Sequence, residues 1–190
     1  MHFTLTYNGE LKANARPQHK HNVRKVFHSQ LKTLWQQQPL ANCRYWYDGS
    51  KPTLPFCLRR EVGDFQFVPL ISPDLYVVCD LNIFMLRPEP PGAIITQAGD
   101  IDNRLKTLFD ALRYPKNVGE LPNGATPDKS ERPFYCLLED DILITGVSVK
   151  TDRLLEPDAS THKVQLHIQV DTKLTQTRVG NRLTGGVFLM

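Results

Sequence analysis

Apolar positions along the chain follow two periods. Phe3, Leu5 and Tyr7 alternate with Thr4 and Thr6, which predicts a short half-buried strand over 3–7 closed by a turn at Asn8-Gly9. After Pro17 the period lengthens. Val23, Val26, Phe27, Leu31, Leu34 and Trp35 recur at three- and four-residue spacing and predict a helix to about residue 37, stopped by Pro39. Lys20, Arg24, Lys25, His28 and Lys32 fall on its other face. Two strands are predicted over 65–71 and 75–86, separated by Ser72-Pro73-Asp74; the continuous apolar start Leu75-Tyr76-Val77-Val78-Cys79 marks the second as central in its sheet. A second helix is predicted over 103–113, with Leu105, Leu108, Phe109 and Leu112 on one face. Strands over about 141–149 and 163–170 close the pattern, the last with Val164, Leu166, Ile168 and Val170 alternating against Gln165, His167 and Gln169.

Three stretches lack a clear period. Residues 38–63 contain a loop signal, Asp48-Gly49-Ser50-Lys51-Pro52, and an aromatic run, Tyr45-Trp46-Tyr47, that either packs back on the core or forms an edge strand. Residues 114–135 are rich in breakers and read as a loop, and 171–190 read as a tail. Strands interleaved with two main helices predict an α+β fold, a mixed sheet with the helices on one face. The chain is read as one domain, 1–190, with 38–63 and 113–139 as insertions.

Composition narrows the class. Of 190 residues 41% are hydrophobic and 23% charged, which excludes disordered and fibrous chains, and the net charge of +3 tolerates a polyanionic partner without requiring one. Cys43, Cys57, Cys79 and Cys136 are irregularly spaced, with no zinc-ligand or redox pairing, so reduced thiols in a cytoplasmic protein are expected. Met1-His2-Phe3-Thr4-Leu5-Thr6 lacks a basic region followed by an apolar stretch, so no signal peptide is expected there, and no apolar run approaches the ~20 residues a membrane span needs.

The chemistry concentrates in Gly99-Asp100-Ile101-Asp102-Asn103-Arg104-Leu105-Lys106, continuing to Asp110-Ala111-Leu112. Asp100 and Asp102 enter a helix together. Asp102, Lys106 and Asp110 follow at four-residue steps, clear of the apolar stripe. Helix capping and an i,i+4 ion pair account for part of this, but a cap needs one acidic residue and the segment supplies more. Glu139-Asp140-Asp141 forms a second acidic group directly before a strand. Gathered carboxylates raise one another's pKa values and suit a hard divalent cation, which takes oxygen ligands.

The pattern Asp-x-Asp-Asn-x-x-Lys-x-x-x-Asp-Ala-Leu (Asp100, Asp102, Asn103, Lys106, Asp110, Ala111, Leu112), followed by Asp140-Asp141 and an apolar strand, resembles the signature of the RusA-type Holliday junction resolvases. The resemblance covers residues 75–170. It implies a RusA-like fold and a homodimeric, Mg²⁺- or Mn²⁺-dependent endonuclease that cuts branched DNA in recombination and repair. Asp100, Asp102 and Asp141 would be the metal ligands, Asp140 an auxiliary carboxylate, and Lys106 a catalytic group near the scissile phosphate. Asn103 and Asp110 would support them, Asp110 by holding Lys106. The chain departs from the family in its long 113–139 connection, in segment 38–63, and in Ile95-Thr96-Gln97-Ala98-Gly99, where basic residues are expected.

The early basic run, with Lys20, Arg24, Lys25 and Lys32, reads either as a phosphate-contacting surface or as a solvated helix face. Tyr45-Trp46-Tyr47 stacks on unpaired bases or packs in the core. The alternative to an endonuclease is a non-catalytic nucleic-acid-binding protein that retains the RusA-like fold.

Overall fold

The structure, a computed structural model, describes residues 1–51, 55–89 and 101–176. In chain order the elements are β1 (His2–Glu10), α1 (Pro17–Trp35), β2 (Arg60–Val62), β3 (Phe65–Ile71), β4 (Val77–Arg87), α2 (Ile101–Leu112), β5 (Phe134–Leu138), β6 (Ile144–Arg153) and β7 (Lys163–Leu174). They form a four-stranded sheet ordered β1-β7-β4-β6 and a three-stranded sheet ordered β2-β3-β5. Both sheets are mixed: β4/β6 and β3/β5 are parallel, while β1/β7, β4/β7 and β2/β3 are antiparallel. The fold is therefore α+β, with two mixed sheets.

Strict alternation sets the inner face of the larger sheet. Leu5 and Tyr7 of β1, Leu81, Ile83 and Met85 of β4, and Val164, Leu166, Ile168 and Val170 of β7 are all buried. Against them α1 sets Val23, Phe27, Leu31 and Trp35, and α2 sets Leu108, Ala111 and Leu112. β4 lies between β7 and β6, the central position its unbroken apolar start predicts.

Both helices are rotated relative to their expected faces. Val26 is 40% exposed, whereas His21, Arg24 and His28 are buried. These three lie at i, i+3 and i+7, so the side of α1 that reads as basic and solvated instead faces α2 and β5. In α2, Leu105 and Phe109 are only partly buried, while Arg104 and Thr107 are buried.

Segment 38–63 resolves toward packing. A 3-10 turn over Leu40–Trp46 drives Trp46 into the core, edge-on to Trp35 at 6.2 Å. Residues 113–139 are more than a loop: they carry two 3-10 turns and then β5, whose five residues Phe134 to Leu138 are all buried. Beyond residue 170, β7 continues to Leu174, so the expected tail begins as strand. Among the described residues no helix is long and apolar enough to cross a membrane.

Candidate functional site

Asp102 stands in the first turn of α2 with Lys106 one turn on, and the two form an ion pair of 3.1 Å. Both are about two-thirds exposed, at 64% and 65%. The spacing that predicts a shared surface is therefore met, and Asn103 beside them is half-buried. Asp100 lies outside the described residues.

Asp110 does not hold Lys106. Its carboxylate accepts from Lys20 Nζ at 2.6 Å and pairs with Arg113 at 2.8 Å. Burial pushes the Asp110 carboxyl up, but the Lys20 ammonium and the Arg113 guanidinium outweigh it and hold the pKa below the ordinary value. Arg113 also pairs with Glu120 at 2.8 Å, tying the chain that leaves α2 back to the helix end.

The expected phosphate surface on α1 is largely engaged internally. Arg24, 1% exposed, donates to the carbonyl oxygens of Asp110 at 2.8 Å and Arg113 at 3.1 Å, so it is not a DNA-contacting residue. Lys20 is taken by Asp110, Lys25 pairs with the buried Glu131 at 2.7 Å, and Lys32 donates to the Ser130 carbonyl at 2.8 Å. Helix packing aims Arg24 inward, where its charge meets protein acceptors, whereas Lys25 and Lys32 reach their partners from the surface.

The second acidic segment follows β5. Glu139 is clamped by Arg60, whose Nε and Nη2 donate at 2.9 and 3.1 Å, and by Ser72 Oγ at 2.5 Å. Arg60 also donates to Asp74 at 2.6 Å; burial lowers its pKa, but the two carboxylates more than reverse this. Asp140 caps the 3-10 turn Asp141–Leu143, accepting from the Ile142 amide at 3.1 Å, and pairs with Lys116 at 2.9 Å. Lys116 holds the Asp140 carboxyl low. Asp141 is raised, first by its hydrogen bond to Asp140, then by partial burial and the neighbouring charge. The neighbouring carboxyls are thus pushed apart, Asp140 below its ordinary value and Asp141 above it. Arg60, Ser72 and Lys116 organise this segment and are not marked in the sequence, because their contacts with Glu139 and Asp140 span long stretches of chain.

The two acidic segments stand at opposite ends of α2. Arg113, just past the helix, forms a parallel bridge with Leu138, and the Tyr114 amide donates to the Leu138 carbonyl at 3.2 Å. Because the bridge is parallel, β5 runs on past the helix end in the direction of Lys116, carrying Asp140 and Asp141 away from Asp102. At 1.5 Å per residue, eleven residues from Asp102 to Arg113 amount to roughly 16 Å. The sheet agrees. Arg104, near the start of α2, pairs with Glu89 at 2.7 Å, just beyond the last residue of β4, whereas Ile144, three residues after Asp141, pairs with Cys79 near the start of β4. Among the described residues no three His, Cys, Asp or Glu side chains come together as a metal-binding group.

Comparison with known proteins adds no relative: no protein-family model, curated protein or solved structure matches the chain significantly.

Proposed function

We propose that the chain is a metal-dependent endonuclease acting on Holliday junctions or other branched DNA, as a homodimer. The observation that carries this reading is the sequence run Asp100-Ile101-Asp102-Asn103-Arg104-Leu105-Lys106, of which residues 101–106 open α2 with Asp102 and Lys106 paired and exposed. A cation at such a site polarises a phosphate and activates water. Asp102 has the hard oxygen donors that Mg²⁺ or Mn²⁺ takes, and Lys106 could offset charge on a phosphate bound beside it.

The full ligand set implied by the resemblance does not fit this arrangement. Mg²⁺–oxygen bonds are ~2.0–2.1 Å, so ligands of one ion lie within about 4 Å of each other. Asp102 and the Asp140–Asp141 pair, a helix length apart, do not meet that condition within one subunit. No cleavage step is therefore assigned to a shared ion.

This separation favours a second reading, a nucleic-acid-binding protein that does not cut. Both readings are tested by incubating four-way junction, fork and linear duplex DNA with the protein, with and without Mg²⁺, alongside Asp102→Asn. Metal-dependent nicking of the branched substrates, lost in the variant while its fold and binding persist, supports the endonuclease. Binding without nicking selects the second reading, and neither binding nor nicking removes both.

A further inference from the structure

We propose that the open face of the four-stranded sheet is a binding surface for single-stranded nucleic acid. This goes beyond the cleavage reading, because α1 and α2 pack on the other face of the sheet and neither Asp102 nor Lys106 takes part. Strand register lines the outward side chains into rows that cross all four strands. One row is Thr4, Gln169, Asn82 and Ser148, and the next is Thr6, His167, Phe84 and Lys150. All of these but Thr6 line a groove of about 620 Å³.

A lone exposed phenylalanine is ordinary. Phe84, however, is 40% exposed on the interior strand β4, between His167 on β7 and Lys150 on β6. An aromatic floor offers a stacking platform to an unpaired base, whereas a base inside a duplex keeps its faces covered. The side-chain amides of Asn82 and Gln169 lie in the adjoining row; their nitrogens reach Asp171 at 3.5 Å and His2 at 3.0 Å, and each amide keeps a carbonyl oxygen and a second N–H for a base edge.

The charges are arranged to admit a phosphate chain. Lys150 is the one formally charged side chain in the two central rows. In one flanking row the carboxylates are engaged: Asp80 accepts from Lys173 and from Thr145 Oγ1, and Asp171 pairs with His2 at 2.5 Å. The other flanking row ends on β6 at the exposed Asp152, whose Oδ1 accepts from the Arg153 amide at 2.7 Å. Asp152 lies two residues from Lys150, so Lys150 is the cation that a phosphate must meet from the side of β7. Gly146 stands opposite Asp80, where a Cβ would approach its carboxylate to 2.9 Å, so the glycine lets that carboxylate lie flat across the edge strand.

The test is fluorescence anisotropy of labelled oligothymidylate and oligouridylate at low salt with EDTA, so that the result does not depend on whether the acidic site cuts DNA. The wild-type chain should bind at least one of the two oligomers. Phe84→Ala should weaken binding by about tenfold, as expected for loss of a stacked base, and Phe84→Trp should retain it. Lys150→Gln should weaken binding and flatten its salt dependence. The proposal is overturned if the wild type binds neither oligomer, or if Phe84→Ala unfolds at the wild-type temperature and binds equally well. It is also overturned if Phe84→Ala lowers the mass in sedimentation without changing oligomer affinity, because the face would then join copies of the chain.

Discussion

Arg24 of α1 closes the end of α2 from inside the protein: its guanidinium donates to the Asp110 and Arg113 carbonyls at 2.8 and 3.1 Å. The last carbonyls of a helix have no partner within it, and a cation there also opposes the negative end of the helix dipole. Arg24→Met keeps the volume but leaves both acceptors buried without this donor. It should destabilise the protein by about 1–3 kcal/mol in urea unfolding. Unchanged or greater stability would mean the desolvation cost of the guanidinium outweighs its two bonds.

The buried histidines should make folding acid-sensitive. Burial, then Arg24 and Lys25, push His21 down to about 4, and burial likewise lowers His28. His28 Nδ1 accepts from the Tyr135 amide at 2.8 Å, which leaves Nε2–H to donate to the Ser130 carbonyl at 3.2 Å, the pattern of a neutral ring. A folded pKa below the unfolded value of ~6.5 means the unfolded chain takes up protons first as pH falls. Stability is then full above that pH and declines toward pH 4, by up to about 3 kcal/mol for His21. His21→Phe, in a site already edged by Phe65 and Phe134 at 5.4 and 5.6 Å, should flatten this acid limb when urea midpoints are compared at pH 7 and pH 5. An equally steep decline in the variant would assign the effect elsewhere.

How far the sequence could be read depended on the signal. β4, β7 and both helices carry long, regular periods, and all four form where expected. β5 has five consecutive buried residues and follows a proline-rich stretch, so it lacks the alternation that would mark it. The Asp102–Lys106 pair was legible because a four-residue step on a helix determines proximity. The inward turn of Arg24 was not, since its acceptors lie 86 and 89 residues away. Nor does sequence order tell which end of α2 receives Asp140 and Asp141. That follows from the path of 113–139 and the parallel pairing of β5 with β3.

The Lys116–Asp140–Asp141 group should respond to charge removal in opposite directions. Asp140 is held low, so its contribution is present above the ordinary carboxyl range and is lost as pH falls through its folded pKa. Asp141 is held high, so its ionisation opposes folding and the penalty appears as pH rises through its folded pKa. Lys116→Met should raise the Asp140 pKa and cost a few tenths of a kcal/mol at pH 7, because the pair is exposed and screened. Asp141→Asn should be stabilising at the same pH. A carboxyl-carbon NMR titration reads both pKa values, and a fall in the Asp140 value on removing Lys116 would contradict the assignment.

Because Asp102 and Asp141 stand about a helix length apart, any contributions they make to Mg²⁺ binding should be independent. A cation that binds the folded protein stabilises it by mass action, by ~2.7 kcal/mol at a hundred times its Kd. Asp102→Asn should abolish the Mg²⁺-induced rise in unfolding temperature if the head of α2 is the binding end, while Asp141→Asn should leave it in place. The double variant should equal the sum of the singles within about 0.5 kcal/mol, as for sites without shared partners. A coupling larger than about 1 kcal/mol would instead mean that both ends meet around one ion. That result would require a second subunit, or a rearrangement of α2, to close the gap.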